Sequence, residues 1–233
     1  MKTALITGAN RGIGLEFCRQ YAADGWRVFA CARNPEQSDE LNMLASTHPA
    51  QVIIHRLDVG DHAQIGQLAQ ALDGEPIDLL LNNAGIYTGS HAKGIFDDKD
   101  YEDWAHAFRI NTMATLKMAQ TFQPQVRRGG QKTIATISSK MGSIADNSGG
   151  GSYMYRSSKA AVNMVIKTLA IDLKPAGIIT VALHPGWVKT DMGGPNALIS
   201  TARSVSGMRD VLSSLTLADS GKFIAYDGQG VPW

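Results

Sequence analysis

Short, largely apolar runs alternate along this chain with longer segments of helical periodicity. The runs are apolar at consecutive positions rather than at every second one, which is typical of strands buried on both faces. Seven of them predict strands at Thr3–Ile6, Val28–Ala32, Val52–His55, Leu79–Leu81, Thr133–Ile137, Ile179–Leu183 and Phe223–Tyr226. Because helical segments separate the runs, we expect right-handed crossovers and a parallel sheet with helices on both faces. The predicted fold class is therefore α/β, doubly wound, in a single domain of residues 1–233.

Two of the separating segments carry clear helix signals. The first begins at Asp61, a preferred N-cap residue, with Gln64 three positions later. Its predicted apolar face is Ile65, Leu68, Ala69 and Leu72. The second should end before Pro175, which lacks the backbone N–H that a helix interior needs. Its predicted apolar face is Ala161, Met164, Val165, Thr168 and Leu169. Along the whole chain we count six helices.

Charge and composition exclude several classes of function. Lys and Arg number 22, Asp and Glu number 21, and the formal net charge is +1. Without a bulk positive field, we expect neither a nucleic-acid nor a membrane partner, and no apolar run approaches the ~18 residues of a membrane span. Cys18 and Cys31 predict reduced, packed thiols in a cytoplasmic protein. No metal site is expected, since His48, His55 and His62 fall in different elements.

A glycine-rich turn joins the first predicted strand to the first helix. Its sequence is Thr7-Gly8-Ala9-Asn10-Arg11-Gly12-Ile13-Gly14. Glycines allow a tight turn and let a pyrophosphate approach the backbone N–H groups of a helix N-terminus, as in a Rossmann fold. The spacing is Gly-x-x-x-Gly-x-Gly rather than the usual Gly-x-Gly-x-x-Gly. A tight turn without a ligand is the alternative, and the position between strand and helix favours dinucleotide binding.

The second predicted strand ends in arginine where a dinucleotide fold often has an acid. An acid about 20 residues after the glycines binds the adenosine ribose, whereas a basic residue accepts a 2′-phosphate. No Asp or Glu stands between Arg27 and Arg33. The guanidinium groups of Arg11 and Arg33 suit a phosphate. They favour NADP(H) over NAD(H), with two solvated surface arginines as the alternative.

Polar residues also follow the third, fourth and fifth predicted strands, at the edge where ligands bind in open α/β sheets. Asp58 can accept from an adenine amino group and Asn83 can order the strand ends, although each is equally compatible with a turn. Ser138 and Ser139 end the fifth strand, where a hydroxyl can hold a carbonyl oxygen. No His or acid stands near enough in sequence to indicate a serine hydrolase.

Tyr155 and Lys159 are spaced i, i+4 and would share one face of a helix. An ammonium near a phenol favours the phenolate and lowers the phenol pKa from ~10. A tyrosine tuned in this way can exchange a proton with a substrate oxygen near neutral pH. Such pairs are common on surfaces, so the significance of this one depends on the accompanying residues.

Together these motifs resemble the classical short-chain dehydrogenase/reductase family over essentially the whole chain. In family order they are Thr7-Gly8-x-x-x-Gly12-x-Gly14, Asp58, Asn82-Asn83-Ala84-Gly85, Asn111, Ser139, Tyr155-x-x-x-Lys159 and Pro185-Gly186. Three segments are similar to the subgroup of C-factor and sniffer-type carbonyl reductases. They are Ser139-Lys140-Met141-Gly142-Ser143-Ile144, Tyr155-Arg156-Ser157-Ser158-Lys159 and the final Trp233.

The resemblance implies a catalytic set of four residues. Tyr155 is then the general acid/base, and Lys159 lowers its pKa and holds the nicotinamide ribose. Ser139 orients the substrate carbonyl, and Asn111 keeps a water in the proton relay. Ser139 is preferred to Ser138 because the family's serine is followed three residues later by glycine, here Gly142. The gap from Ser139 to Tyr155 is a few residues longer than is common in the family.

The resemblance also implies the residues that hold NADP(H). They are Gly8, Asn10, Arg11, Gly12, Ile13, Gly14, Arg33, Asp58, Val59, Asn83, Ala84, Gly85, Tyr155, Lys159, Pro185, Gly186, Val188 and Thr190. The implied reaction is hydride transfer between NADP(H) and a small-molecule carbonyl or alcohol, in a homodimer or homotetramer. The substrate pocket is expected from residues 86–94, 141–154 and 187–208. The alternative is a nucleotide-binding signalling or regulatory protein of C-factor type with little turnover.

Overall fold

Seven strands form one sheet, and every neighbouring pair in it is parallel. The computed structural model describes residues 1–88 and 98–233. The strands are β1 (Thr3–Thr7), β2 (Arg27–Ala32), β3 (Val52–Arg56), β4 (Leu79–Asn82), β5 (Thr133–Ile137), β6 (Ile179–His184) and β7 (Phe223–Ala225). Their spatial order is β3-β2-β1-β4-β5-β6-β7. The winding therefore reverses between β1 and β4, and the predicted doubly wound Rossmann fold is confirmed.

Helices cover both faces of this sheet. They are α1 (Gly12–Ala23), α2 (Asp39–Thr47), α3 (His62–Ala71), α4 (Asp98–Phe108), α5 (Ala114–Arg128), α6 (Tyr153–Leu173) and α7 (Thr201–Ser214). A π-helical turn, Arg109–Met113, joins α4 to α5 without a break, so the described part of the chain has the six helical units predicted. One buried apolar cluster packs α3, α5 and α6 on one face, and a second packs α1, α2 and α7 on the other.

The N-terminus of α3 follows the sequence signal. Asp61 accepts hydrogen bonds from the backbone N–H groups of Ala63 and Gln64, at 2.9 and 3.3 Å. The Gln64 side chain accepts from the backbone N–H of Asp58 at 2.9 Å, rather than from that of the cap residue. The Gln64 side chain thus holds the backbone of Asp58, which follows β3.

The predicted apolar face of α6 is only partly correct: Leu169 is buried and Val165 packs against the core, and the helix ends before Pro175 as expected. Met164 is 66% exposed and Thr168 is also exposed. The face that packs on the sheet instead carries Val162, Ile166, Leu169, Ala170 and Leu173. Both stripes of this helix are rich in apolar residues, so periodicity alone could not choose between them.

Cys18 and Cys31 are free and buried, as predicted. Within residues 1–88 and 98–233, no helix combines the length and the apolar character that crossing a bilayer requires.

Candidate active site

The carboxyl ends of the central strands border a cleft of about 820 Å³. It lies where the winding of the sheet reverses, the usual place for a ligand in an open α/β fold. The cleft is lined by every predicted catalytic and cofactor-binding residue except Gly14 and Asn111. Residues that are up to 180 positions apart in the chain therefore come together along one wall of the sheet.

The glycine turn is shaped for close approach. Gly8 and Gly12 have φ values of +65° and +56°, which L side chains rarely adopt. A Cβ on Gly14 would lie 2.2 Å from the Gly8 carbonyl oxygen, so only glycine lets α1 begin this close to the turn. The N-cap residue, Arg11, makes no side-chain cap, and the first turn of α1 carries no acid. The free backbone N–H groups at the N-terminus of α1 thus form an anion site that suits a pyrophosphate.

Asn83 ties this turn to the end of β4. Its side-chain amide donates to the carbonyl oxygens of Thr7 and Gly8, at 2.9 and 3.1 Å. In return the Thr7 hydroxyl accepts from the backbone N–H groups of Asn83 and Ala84, both at 3.0 Å. These four bonds hold the glycine turn against β4, in agreement with the expectation that Asn83 orders the strand ends.

The predicted phosphate-binding arginines differ in their surroundings. Arg11 pairs with Asp191 at 2.8 Å, and both side chains are exposed. Arg33 is exposed, and no carboxylate within the described ranges pairs with it. Glu36, the acid nearest to it in sequence, pairs with Arg56 instead. An uncompensated guanidinium in the cleft fits an incoming phosphate.

Asp58 lies at the same end of the cleft, after β3. One carboxylate oxygen accepts from the backbone N–H of Gly60 at 2.8 Å. The described residues give the other oxygen no donor, so it remains available to an amino group.

Tyr155 and Ser139 both line the cleft, and the Ser139 side chain is near enough to Tyr155 to influence the pKa of the phenol. The Ser139 hydroxyl also accepts from the backbone N–H of Met141 at 3.1 Å, which orients it. The neighbouring Ser138 is buried, and its hydroxyl donates to Asn163 Oδ1 at 2.5 Å. Of the two serines, Ser139 is therefore the one that can contact a ligand through its hydroxyl.

Close packing against α6 requires a glycine at position 142, three residues after Ser139. A Cβ there would lie 2.6 Å from the backbone carbon of Lys159, so a side chain would push the serine turn away from α6. The absence of a side chain at Gly142 therefore lets the serine turn pack closely against α6, the helix that carries Tyr155 and Lys159.

Lys159 is buried one turn after Tyr155. Its ammonium donates to the Ile137 carbonyl oxygen at 2.9 Å and lies 5.7 Å from the centroid of the Tyr155 ring. Burial lowers the pKa of Lys159 to about 8.

The expected lowering of the Tyr155 pKa is wrong for this arrangement. Burial of the phenol raises its pKa to about 12, and the hydrogen bond from Ser139 opposes that rise only in part. The i, i+4 spacing correctly predicts that the Lys159 ammonium lies near Tyr155. It could not reveal that desolvation has the larger effect on the Tyr155 pKa. The Tyr155 hydroxyl is therefore protonated at neutral pH.

Asn111 lies behind the cleft wall, inside the π-helical turn between α4 and α5. Its side chain accepts from the backbone N–H of Ile86 at 2.9 Å. It donates to the Ile86 carbonyl and to the Ser158 hydroxyl, both at 3.0 Å. The side chain thus links the loop after β4 to α6 beside Lys159. The sequence gives no sign of this π turn, a feature that is frequent at functional sites.

Three aromatic or apolar residues from the predicted pocket ranges 86–94 and 187–208 line the cleft. Tyr87 lies with its ring centroid 4.8 Å from that of Tyr155, and Trp187 and Met192 line the opposite wall half-exposed. Of the predicted substrate pocket, residues 89–94 lie outside the described residues.

No group of three or more His, Cys, Asp or Glu side chains in the described ranges is arranged to hold a metal ion.

Comparisons with known proteins agree with this geometry. The family model for short chain dehydrogenases matches residues 2–198. The C-signal protein of Myxococcus xanthus is 46% identical over 158 residues, which cover 68% of this chain and 93% of that protein.

Two solved structures are also similar along the whole chain. The carbonyl reductase Sniffer of D. melanogaster has a TM-score of 0.93 and 32% identity, with 100% of both chains covered. The NADPH-bound carbonyl reductase from chicken fatty liver has a TM-score of 0.91 and 37% identity, covering 100% of this chain and 94% of that one.

Proposed function

The chain belongs to the short-chain dehydrogenase family, and we propose that it reduces a ketone or aldehyde to an alcohol with NADPH. One observation carries this proposal. A protonated, buried phenol, Tyr155, and the Ser139 hydroxyl together line a cleft whose far end presents an uncapped helix N-terminus and a free guanidinium. Such a cleft can hold a phosphorylated dinucleotide at one end and protonate an oxygen at the other.

The cofactor is NADP(H), as in the NADPH-bound chicken carbonyl reductase. The residues present fit it. The glycine turn and the uncapped N-terminus of α1 line the cleft where a pyrophosphate can bind backbone N–H groups, and Arg33 can meet a 2′-phosphate. Asp58 has a free carboxylate oxygen for the adenine amino group. When bound, NADPH supplies the hydride.

The protein itself supplies orientation and a proton. The Ser139 hydroxyl can donate to a substrate carbonyl oxygen and so hold it beside the Tyr155 hydroxyl. Because burial keeps Tyr155 protonated at neutral pH, it can donate its proton to that oxygen as negative charge develops there. The resulting phenolate lies near the Lys159 ammonium, which stabilises its negative charge.

Lys159 should give the reduction a pH limit. Its pKa is about 8, so its ammonium is present below pH 8 and is lost as the pH rises through that value. We therefore expect kcat/KM for reduction to fall above about pH 8, approaching tenfold per pH unit. In Lys159→Met the residual rate should be low, NADPH binding weaker, and the fall near pH 8 absent.

Lys167→Met is the matched control for this pH profile. Lys167 lies two turns further along α6, and its ammonium contacts the Gly221 carbonyl outside the cleft. This variant should keep the wild-type profile. A fall near pH 8 that persists in Lys159→Met would assign it to another group.

The proposed activity is tested by following NADPH absorbance with a panel of ketones and aldehydes. Turnover of any member supports the proposal. NADPH binding without turnover of any substrate would instead favour the second candidate, a nucleotide-binding signalling protein. The similarity to the protein named C-signal supports that candidate. The assembled set of Ser139, Tyr155 and Lys159 favours the enzyme, because a protein that only binds the nucleotide needs no proton donor.

Partners and location stay predictions. The family resemblance implies a homodimer or homotetramer formed through the helices that carry Asn111 and Tyr155, and a cytoplasmic location is expected from the two free thiols.

A further inference from the structure

Helix α6 begins at an unusual residue. Ser152, its N-cap, has φ +46° and ψ +43°, and it follows two glycines whose φ values are +63° and +66°. Glycine adopts this left-handed conformation freely, whereas serine does so with strain. The Ser152 hydroxyl also makes no cap to its own helix, although serine is a preferred capping residue. Two local features therefore disfavour the first turn of the helix that carries Tyr155.

A long-range hydrogen bond compensates at this point. The Ser152 hydroxyl lies 2.9 Å from the hydroxyl of Tyr87, which belongs to the loop after β4. The Tyr87 ring packs on the Tyr155 ring, with centroids 4.8 Å apart and planes at 52°. Tyr87 thus contacts α6 at its N-cap through the hydroxyl and at Tyr155 through the ring.

We propose that Tyr87 is a positioning residue whose hydrogen bond to Ser152 tethers the first turn of α6 and so holds the Tyr155 hydroxyl against Ser139. The kinetic part of this inference rests on the proposed reductase function. Other side-chain bonds also reach this turn: the Arg156 guanidinium donates to the Gly150 and Met141 carbonyls at 3.1 and 3.4 Å, and Trp104 Nε1 donates to the Ser157 hydroxyl at 2.8 Å. Gly150 is exposed and itself lies in the left-handed run, so that contact joins two neighbouring segments of the same loop. The bond from Tyr87 comes instead from the loop that Asn111 anchors through Ile86.

The test removes either hydroxyl while keeping the backbone and the ring. In Tyr87→Phe and in Ser152→Ala, kcat for reduction should fall about tenfold, since misplacing a reacting group by a fraction of an ångström costs rate. The Kd for NADPH and the melting temperature should stay unchanged. The double variant should lose no more than either single variant, because both changes break one bond. Ser148→Ala is the control, since Ser148 lies exposed in the same loop.

Hydrogen exchange separates this inference from the proposed activity. Amides of residues 153–158 should exchange faster in Tyr87→Phe and Ser152→Ala than in the wild type, with no change elsewhere and none in Ser148→Ala. If the wild type reduces no carbonyl, the proposed function fails, and exchange alone decides whether the tether exists. Unchanged exchange in the first turn of α6, or losses of kcat that add in the double variant, would overturn the tether.

Discussion

Tyr155→Phe should abolish carbonyl reduction and leave NADPH affinity within a few-fold of the wild type. The substitution removes one oxygen and keeps the ring, so the packing of the buried side chain against Tyr87 is retained. What is lost is the proton donor, and proton transfer by a positioned side chain contributes about 10²–10⁴-fold to a rate. The expected loss in kcat/KM is therefore of that size. Cofactor affinity depends mainly on the glycine turn and the arginines at the other end of the cleft.

The measurement pairs steady-state reduction rates with an NADPH titration of the same variant. Tyr153→Phe is the control, because Tyr153 lies on the same helix with 58% of its side chain exposed. We expect that variant to keep its activity. If Tyr155→Phe retains turnover near the wild-type level, Tyr155 is not the proton donor. If it loses NADPH affinity as strongly as rate, the phenol contributes to binding rather than to chemistry.

Much of the fold was predictable because burial on both faces leaves a direct trace in the sequence. The seven apolar runs match the seven strands to within one residue at each end. The Asp61 cap was equally readable, since it depends on neighbours a few positions away. The face of α6 was not, because both of its stripes are apolar and the choice depends on where the sheet lies.

The candidate site likewise has features that the sequence predicts and features that depend on tertiary packing. Motifs with short spacing, such as the glycine turn and the Tyr155–Lys159 pair, placed their residues at the cleft. The sign of the Tyr155 pKa shift was missed because desolvation depends on everything packed around the phenol. Contacts across the chain, such as Arg11 with Asp191 or Tyr87 with Ser152, leave no local pattern to read.

Arg33→Asp should move the cofactor preference from NADPH toward NADH. A 2′-phosphate carries nearly two negative charges, and each charge-assisted bond to it contributes about 1.5–3 kcal/mol. Exposure of Arg33 places its contribution at the low end, yet about 1.4 kcal/mol is already a tenfold change in affinity. Arg33 should matter more than Arg11, because Asp191 already neutralises the Arg11 guanidinium.

The substitution acts through two effects with the same sign. The new carboxylate repels a 2′-phosphate, and it can accept a hydrogen bond from the free ribose hydroxyl of NADH. We therefore expect the ratio of kcat/KM for NADPH to that for NADH to fall by more than tenfold, and to fall further when Arg11→Ala is added. Arg127→Asp makes the same change in net charge on an exposed helix end outside the cleft, and should leave the ratio unchanged. A wild type that prefers NADH, or a ratio that moves equally in both variants, would show that the 2′-phosphate does not bind at Arg33.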